Sequence, residues 1–196
     1  PPRWSAGLFL AVQIRELGQP VVLACNMMDE ARKAGVSINL ERLSERFGVR
    51  AVPTVARSGE GLDKALALAL EEAKKPCAPL AISYGPDIDP ALMRMVKMIE
   101  GKGLLTDRYP ARWTALKLIE GDEVIRSQAE AADAGAAAEL EAVRRELCDH
   151  LASTLETTPD AVISDYRYGF INSVLKDGVI RKNDAKDRLA FSDKLD

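Results

Sequence analysis

Two strand–helix units in succession, followed by a long stretch with only helical periodicity, predict an α/β fold that is mostly α overall. The expected arrangement is a partial doubly wound domain leading into an all-helical domain. Three observations carry this. Apolar runs at 20–25 and 50–54 have strand length, and each is followed by apolar residues at helical spacing. Polar, turn-forming residues lie just past the carboxyl end of each run, where ligands sit in open parallel sheets. From Asp87 onward the pattern is helical only.

The first helix is expected at 5–17, with Ser5 as its cap, Leu8, Val12 and Leu17 among its apolar positions, and Gly18 ending it. The run Pro20, Val21, Val22, Leu23, Ala24, Cys25 is apolar on both faces, as a central parallel strand is. Asn39 is suited to cap a short helix whose Leu40, Leu43 and Phe47 share one face before Gly48. A second strand at 50–54 leads into Ser58, Gly59, Glu60 and Gly61. A helix then carries Leu62, Leu66 and Leu70 on one side and stops before Pro76. Two strands make a poor sheet, so this piece is expected to lean on missing or neighbouring structure.

The turn formers from Pro86 to Pro90 predict the boundary of the helical part. Helices follow at 90–100 and at 110–121, with Pro110 in a first-turn position. Asp133 and Gly135 predict a break in the Ala-rich stretch 129–138. A longer amphipathic helix comes next at 138–155, using Leu140, Val143, Leu147 and Leu151. Thr158 and Pro159 open a last helix expected to run to Ile180, and the charged tail 181–196 is expected to be exposed or mobile. The domains are therefore expected at 1–80 and 81–182, with 183–196 as a linker. The chain opens on Pro1, Pro2 and Arg3 with neither Met nor a signal peptide, as a fragment would.

Composition narrows the function classes. The chain has 196 residues, 47% of them hydrophobic and 29% charged, which suits a packed globule rather than a disordered segment. A net charge of -3 gives no reason to expect a nucleic-acid partner. No apolar run approaches the roughly 20 residues of a membrane span. Cys25, Cys77 and Cys148 are odd in number and unpatterned, so they read as reduced thiols of an intracellular protein.

The most informative residues are Asn26, Met27, Met28 and Asp29 after the first run, with Val55, Ala56 and Arg57 after the second. An N-x-x-D box ending one strand and a small-residue loop ending the next form a guanine-reading site. An ionised Asp29 accepts from guanine N1–H and from its exocyclic amine. Adenine offers an acceptor at N1 and nothing at C2, so the same carboxylate would be left unpaired against it. The Asn26 amide can tie the loop and reach N7, and a backbone N–H near Ala56 can meet O6. An isolated N-x-x-D more often just makes a turn; here the second strand–loop pair favours the nucleotide. No G-x-x-x-x-G-K-[ST] phosphate loop occurs, and Gly101, Lys102, Gly103 has neither its spacing nor its hydroxyl. The fold class is thus a partial P-loop GTPase-type domain without its phosphate half.

Several patterns then agree. The residues from Leu17 to Ala31 resemble the cytosolic G domain of bacterial ferrous iron transport protein B, as do Leu43 to Gly48 and Pro53 to Gly61. The stretch Arg112 to Asp122 resembles that family's helical domain, Arg167, Tyr168 and Ile171 its last helix, and Phe191 to Asp196 the lead-in to its membrane region. The resemblance implies binding of GTP or GDP, slow GTP hydrolysis in the intact parent in support of Fe²⁺ uptake, and a helical domain that inhibits nucleotide dissociation. It also implies a place at the cytoplasmic face of the bacterial inner membrane with the protein's own membrane domain as partner. Homo-oligomerisation stays open. By the same resemblance Asn26 and Asp29 read the base, Met27 stands where a ring-packing Lys is common, and Val55, Ala56 and Arg57 form the second base loop. Val55 replaces a common Ser or Thr. Mg²⁺ belongs to the intact parent, since this chain has no matching ligands. The chain alone is expected not to hydrolyse GTP. The alternative from a different class is a non-catalytic helical interaction module on a remnant α/β scaffold.

Other polar and sulfur residues have plainer readings. Met27, Met28, Met93, Met95 and Met98 are expected as packing residues, and His150 is expected at the surface or in a structural role. Arg112 can set a cation against Trp113, or Trp113 can simply anchor the helical domain. Arg167 suits either a domain interface or an internal polar tie. Glu120, Asp122 and Glu123 are expected to be solvated at a helix end.

Overall fold

The structure is a computed structural model that describes residues 5–176 and 178–182. The elements are α1 (Ser5–Glu16), β1 (Val22–Cys25), α2 (Met28–Lys33), β2 (Val36–Ile38), α3 (Leu40–Phe47), β3 (Arg50–Pro53), α4 (Leu62–Glu72), α5 (Gly85–Lys102), α6 (Ala111–Glu120), α7 (Glu123–Ala132), α8 (Ala134–Leu155), α9 (Pro159–Leu175) and β4 (Ile180–Lys182). They form two compact units. One joins the described residues up to Gln19 to Ala78–Phe170, and the other joins Pro20–Cys77 to the described residues from Ile171. This differs from a linear division near residue 80. Helix α1 goes with the helical residues because Glu16 is bound to Arg167 of α9. The end of the chain goes with the α/β residues because β4 pairs with β2.

In the α/β unit β1 and β3 pair in parallel, Val22 opposite Arg50 and Cys25 opposite Pro53. A second, antiparallel pair sets Ser37 of β2 opposite Arg181 of β4. Helix α3 forms as expected: the Asn39 side chain accepts from the Arg42 N–H, and Leu43 and Phe47 are buried. Two expectations fail here. Strand β1 is not buried on both faces: only Cys25 is buried and Ala24 is exposed, because one strand alone neighbours it among the described residues. The last helix stops at Leu175, and the chain turns through Gly178 into β4 instead of continuing to Ile180. Leu62, Leu66 and Leu70 share a face of α4, as the spacing predicts; that face is exposed, and Leu68 is the buried residue of this helix.

The helical unit holds a closed apolar core. Helix α5 starts at Gly85, so the expected boundary at Pro86–Pro90 lies inside it. Pro86 sits in the first turn and loses nothing there, whereas Pro90 forfeits a bond to the Pro86 carbonyl at a cost of about 3 kcal/mol. Ile88, Leu92, Met95 and Ile99 are each 0% exposed, and burying each is worth roughly 1.5–3 kcal/mol, so tertiary packing prevails. Pro110 lies just before the first residue of α6, and Asp133 makes the expected break while capping α8 through the Ala136 N–H. Leu140, Val143, Leu147 and Leu151 form the buried stripe of α8, as the spacing predicts. Among the described residues no helix is long and apolar enough to cross a membrane. The expected lead-in at 191–196 lies outside the described residues.

Candidate functional site

Parallel pairing brings the carboxyl ends of β1 and β3 side by side, so the loops that follow leave together. Three hydrogen bonds join them. Thr54 N–H donates to the Cys25 carbonyl at 2.9 Å, Met28 N–H to the Thr54 carbonyl at 3.4 Å, and Ala56 N–H to Asn26 Oδ1 at 3.0 Å. Asn26 Oδ1 also accepts from Met27 N–H at 2.8 Å. One amide oxygen therefore fixes both loops. The structure brings Asn26 and Ala56 together, and it also shows that the Ala56 N–H is already engaged.

Between Asn26 and Asp29 the chain turns sharply. Met27 takes φ 62°, a left-handed conformation that costs a non-glycine residue about 1 kcal/mol or more, with its side chain 48% exposed. Met28 is buried below the turn. Asp29 is the second residue of α2, half-buried, and its carboxylate makes no hydrogen bond among the described residues. Cys25 is a buried core residue, and that burial pushes its thiol above its ordinary range.

The second loop is a tight hairpin-like turn. Val55 N–H donates to the Glu60 carbonyl at 2.9 Å, and the Ser58 and Gly59 N–H groups donate to the Val55 carbonyl. Position 55 lacks a hydroxyl, but Ser58 Oγ donates to the Val55 carbonyl at 3.2 Å and accepts from Glu60 N–H at 3.4 Å. The hydroxyl that fixes this loop is that of Ser58, three residues beyond Val55. Gly61 at φ 80° closes the loop so near β3 that a Cβ there would fall on the Pro53 carbonyl. Arg57 is exposed. Arg32 and Glu60 lie 3.6 Å apart across the two loops, but both are largely exposed and the pair is worth little.

The helical unit holds a second polar constellation that the sequence only half revealed. Arg167 is 1% exposed and binds Glu16 and Glu120, so it is an internal tie. Glu120 is correspondingly not solvated: its side chain is 13% exposed and also meets Lys117 at 3.1 Å. Asp122 caps α7 instead, and Glu123 pairs with Arg126. Burial opposes the charge on Arg167, but its bonds to Glu120 and Glu16 outweigh that and hold the guanidinium above its ordinary pKa. Burial first, and the Glu16 charge next, push the Tyr84 hydroxyl upward. The signal in the sequence was Arg167 standing at helical spacing between Ile163 and Ile171, both 0% exposed. Arg112 donates to the Ile82 carbonyl at 2.5 Å, while Trp113 meets Tyr109 and Lys117. His150 pairs with Asp87 at the surface. Among the described residues no group of three or more His, Cys, Asp or Glu side chains could hold a metal ion.

A profile described as FeoB cytosolic helical domain matches residues 84–180, and one described as ferrous iron transport protein B matches residues 3–69. The chain belongs to the FeoB family. It is 34% identical over 194 residues to the Fe(2+) transport protein A/Fe(2+) transporter FeoB fusion protein of Porphyromonas gingivalis, covering 96% of this chain and 22% of that protein. It is 30% identical over 167 residues to the Fe(2+) transporter FeoB of Escherichia coli (strain K12), covering 85% of this chain and 20% of that one. The chain thus spans about a fifth of the length of these FeoB relatives. A crystal structure of a mutant S. thermophilus NFeoB bound to GDP superimposes with a TM-score of 0.73 at 24% identity, over 89% of this chain and 64% of that chain. The apo cytosolic domain of T. maritima FeoB gives 0.69 at 23% identity, over 90% and 63%. The fold is therefore that of a FeoB cytosolic region, part of a G domain together with the helical domain.

Proposed function

We propose that this chain is part of the cytosolic GTP- and GDP-binding module of a ferrous iron transporter, and that its contribution is to read guanine. The observation that carries this reading is the bond from Ala56 N–H to Asn26 Oδ1, which ties the N-x-x-D loop to the loop after β3, where the Asp29 carboxylate makes no hydrogen bond among the described residues. Support comes from structural relatives with GDP and with GMPPNP bound. In the proposed complex Asp29 accepts from N1–H and the exocyclic amine, Asn26 Nδ2 donates to N7, and Ala56 N–H turns toward O6. Met27, Val55 and Arg57 flank the base, and Met28 packs beneath the turn. Phosphate and Mg²⁺ contacts, any GTP hydrolysis, Fe²⁺ transport and attachment to the cytoplasmic face of the inner membrane belong to the intact protein in this proposal.

The test is a titration of the ¹⁵N-labelled chain with guanosine and adenosine monophosphates, followed by amide chemical shifts. Base contacts alone predict a dissociation constant near ~1 mM, with shifts confined to residues 26–29 and 54–58. Asp29→Ala should abolish the preference for guanine, which rests on charge-assisted bonds worth roughly 1.5–3 kcal/mol, or about 10- to 150-fold. Equal response to the two bases, or an unchanged preference in Asp29→Ala, would leave the α/β unit as a scaffold for the helices.

A further inference from the structure

Within the α/β unit two guanidinium groups converge on one glycine. The turn into β4 passes through Gly178 at φ 87°, a conformation that favours glycine. A Cβ placed there would meet Arg42 Nη1 of α3 at 2.9 Å, and Arg181 Nη2 and Nε of β4 at 3.3 and 3.4 Å. The glycine thus leaves a small cradle with a planar fork reaching in from each side. Backbone bonds hold both arms. Asn39 N–H donates to the Val179 carbonyl at 2.8 Å, the Asn39 side chain caps α3 through the Arg42 N–H, and β4 pairs with β2 so that Arg181 stands opposite Ser37.

Both arginines are exposed, and neither guanidinium has a hydrogen-bond or ion-pair partner among the described residues. Arg32 and Arg50 of the same unit face Glu60 and Glu71 instead. Two cations brought together repel each other, and an anion between them turns that repulsion into attraction. A guanidinium takes two oxygens of a phosphate side by side. At an exposed site one such contact raises affinity no more than about fivefold. Two of them leave a single phosphate, free or on a nucleotide, well short of a millimolar dissociation constant. A surface that presents many phosphates is different, because each cation gains from the whole field. For a domain tethered beside such a surface a weak contact is enough, since tethering replaces free encounter by a high local concentration.

We propose that Arg42 and Arg181 form a headgroup site through which the α/β unit meets an anionic lipid surface. The choice of surface rests on the proposed attachment of the intact protein to the inner membrane. The convergence on Gly178 does not.

The test is co-sedimentation of the full chain with vesicles of phosphatidylglycerol and phosphatidylcholine, and with vesicles of phosphatidylcholine alone. The wild type should partition to the anionic vesicles only, and high salt should release it. Arg42→Gln and Arg181→Gln should each lower the partition about fivefold, and the double variant should lose more than either. Arg50→Gln, at an exposed arginine that faces Glu71, should change it less than about twofold. The proposal is overturned if the wild type sediments with neither kind of vesicle or equally with both. A loss in Arg50→Gln as large as in Arg42→Gln overturns it too, since that marks a diffuse field. So does displacement by inorganic phosphate at the phosphate concentration of the vesicles, which marks a site for small anions. Attachment is scored separately, by whether the intact protein sediments with the membrane fraction. An intact protein found in the soluble fraction removes the attachment, while partition of the chain still decides the site.

Discussion

The two units use similar amphipathic helices to opposite effect. In α5 the residues Ile88, Leu92, Met95 and Ile99 are each 0% exposed, whereas in α4 Leu62, Leu66 and Leu70 are 43%, 62% and 59% exposed. Both series follow helical spacing. The difference lies in what stands opposite. Helices α6 and α8 pack on α5. Helix α4 turns its Leu68 side toward β1 and β3, and that sheet is two strands wide. Periodicity defines a stripe; a partner decides whether the stripe is buried. The sharpest test compares Leu92→Ala with Leu66→Ala by urea denaturation. The first should cost about 2–5 kcal/mol through the cavity it leaves, and the second no more than about 0.5 kcal/mol. A large loss from Leu66→Ala would show that this face of α4 is covered in solution.

Two glycines extend the contrast to the backbone. Gly61 and Gly85 have nearly the same φ, 80° and 82°, so Ala is strained at either. A Cβ at Gly61 would fall on the Pro53 carbonyl, part of β3, while one at Gly85 would fall on the Tyr166 hydroxyl, the end of a 40% exposed side chain that can swing away. Gly61→Ala should cost about 3 kcal/mol and shift the amides of residues 54–60, against about 1 kcal/mol for Gly85→Ala. Thermal melts and amide spectra of the two variants check this. Equal losses would mean that φ strain alone sets the cost and that the tight closure of the base loop adds nothing.

Legibility in the sequence followed the range of the interactions. Local chemistry was readable: Asn39 caps α3, Asp133 breaks the chain and caps α8, and the two strand ends with their loops were placed by turn residues alone. The short elements α2 and β2 were missed, because six and three residues give too little periodicity to count. Strand β4 was missed for another reason. Its pairing with β2 spans most of the chain and leaves no local mark, so the last helix was extended through it. At the candidate site the residue types were legible, but the engagement of Ala56 by Asn26 and the fixing of the loop by Ser58 were not. Both are loop geometry that the residue types leave open.

The smallest expected effect is electrostatic and again separates the units. In α8 the bond from Arg144, reinforced by Arg145, holds the Glu141 carboxyl below its ordinary range. In α4 the bond from Lys75, with Arg50 nearby, does the same for Glu72. A carboxylate whose folded pKa is depressed contributes stability that is present above its unfolded pKa of about 4.3 and is lost as pH falls through the lower folded value. Glu141→Gln should therefore cost on the order of 0.5 kcal/mol at neutral pH and nothing near pH 2, with 1 M salt shrinking the gap. Glu72→Gln should show the same sign with a smaller change, since Lys75 and Arg50 are half exposed and solvent already screens their pairs with it. Urea midpoints of the two variants and the wild type, taken across this pH window, give the comparison. A Glu141→Gln gap that stays constant with pH would mean that the side chain acts through packing of its stem on α8, and that the charge carries none of the effect.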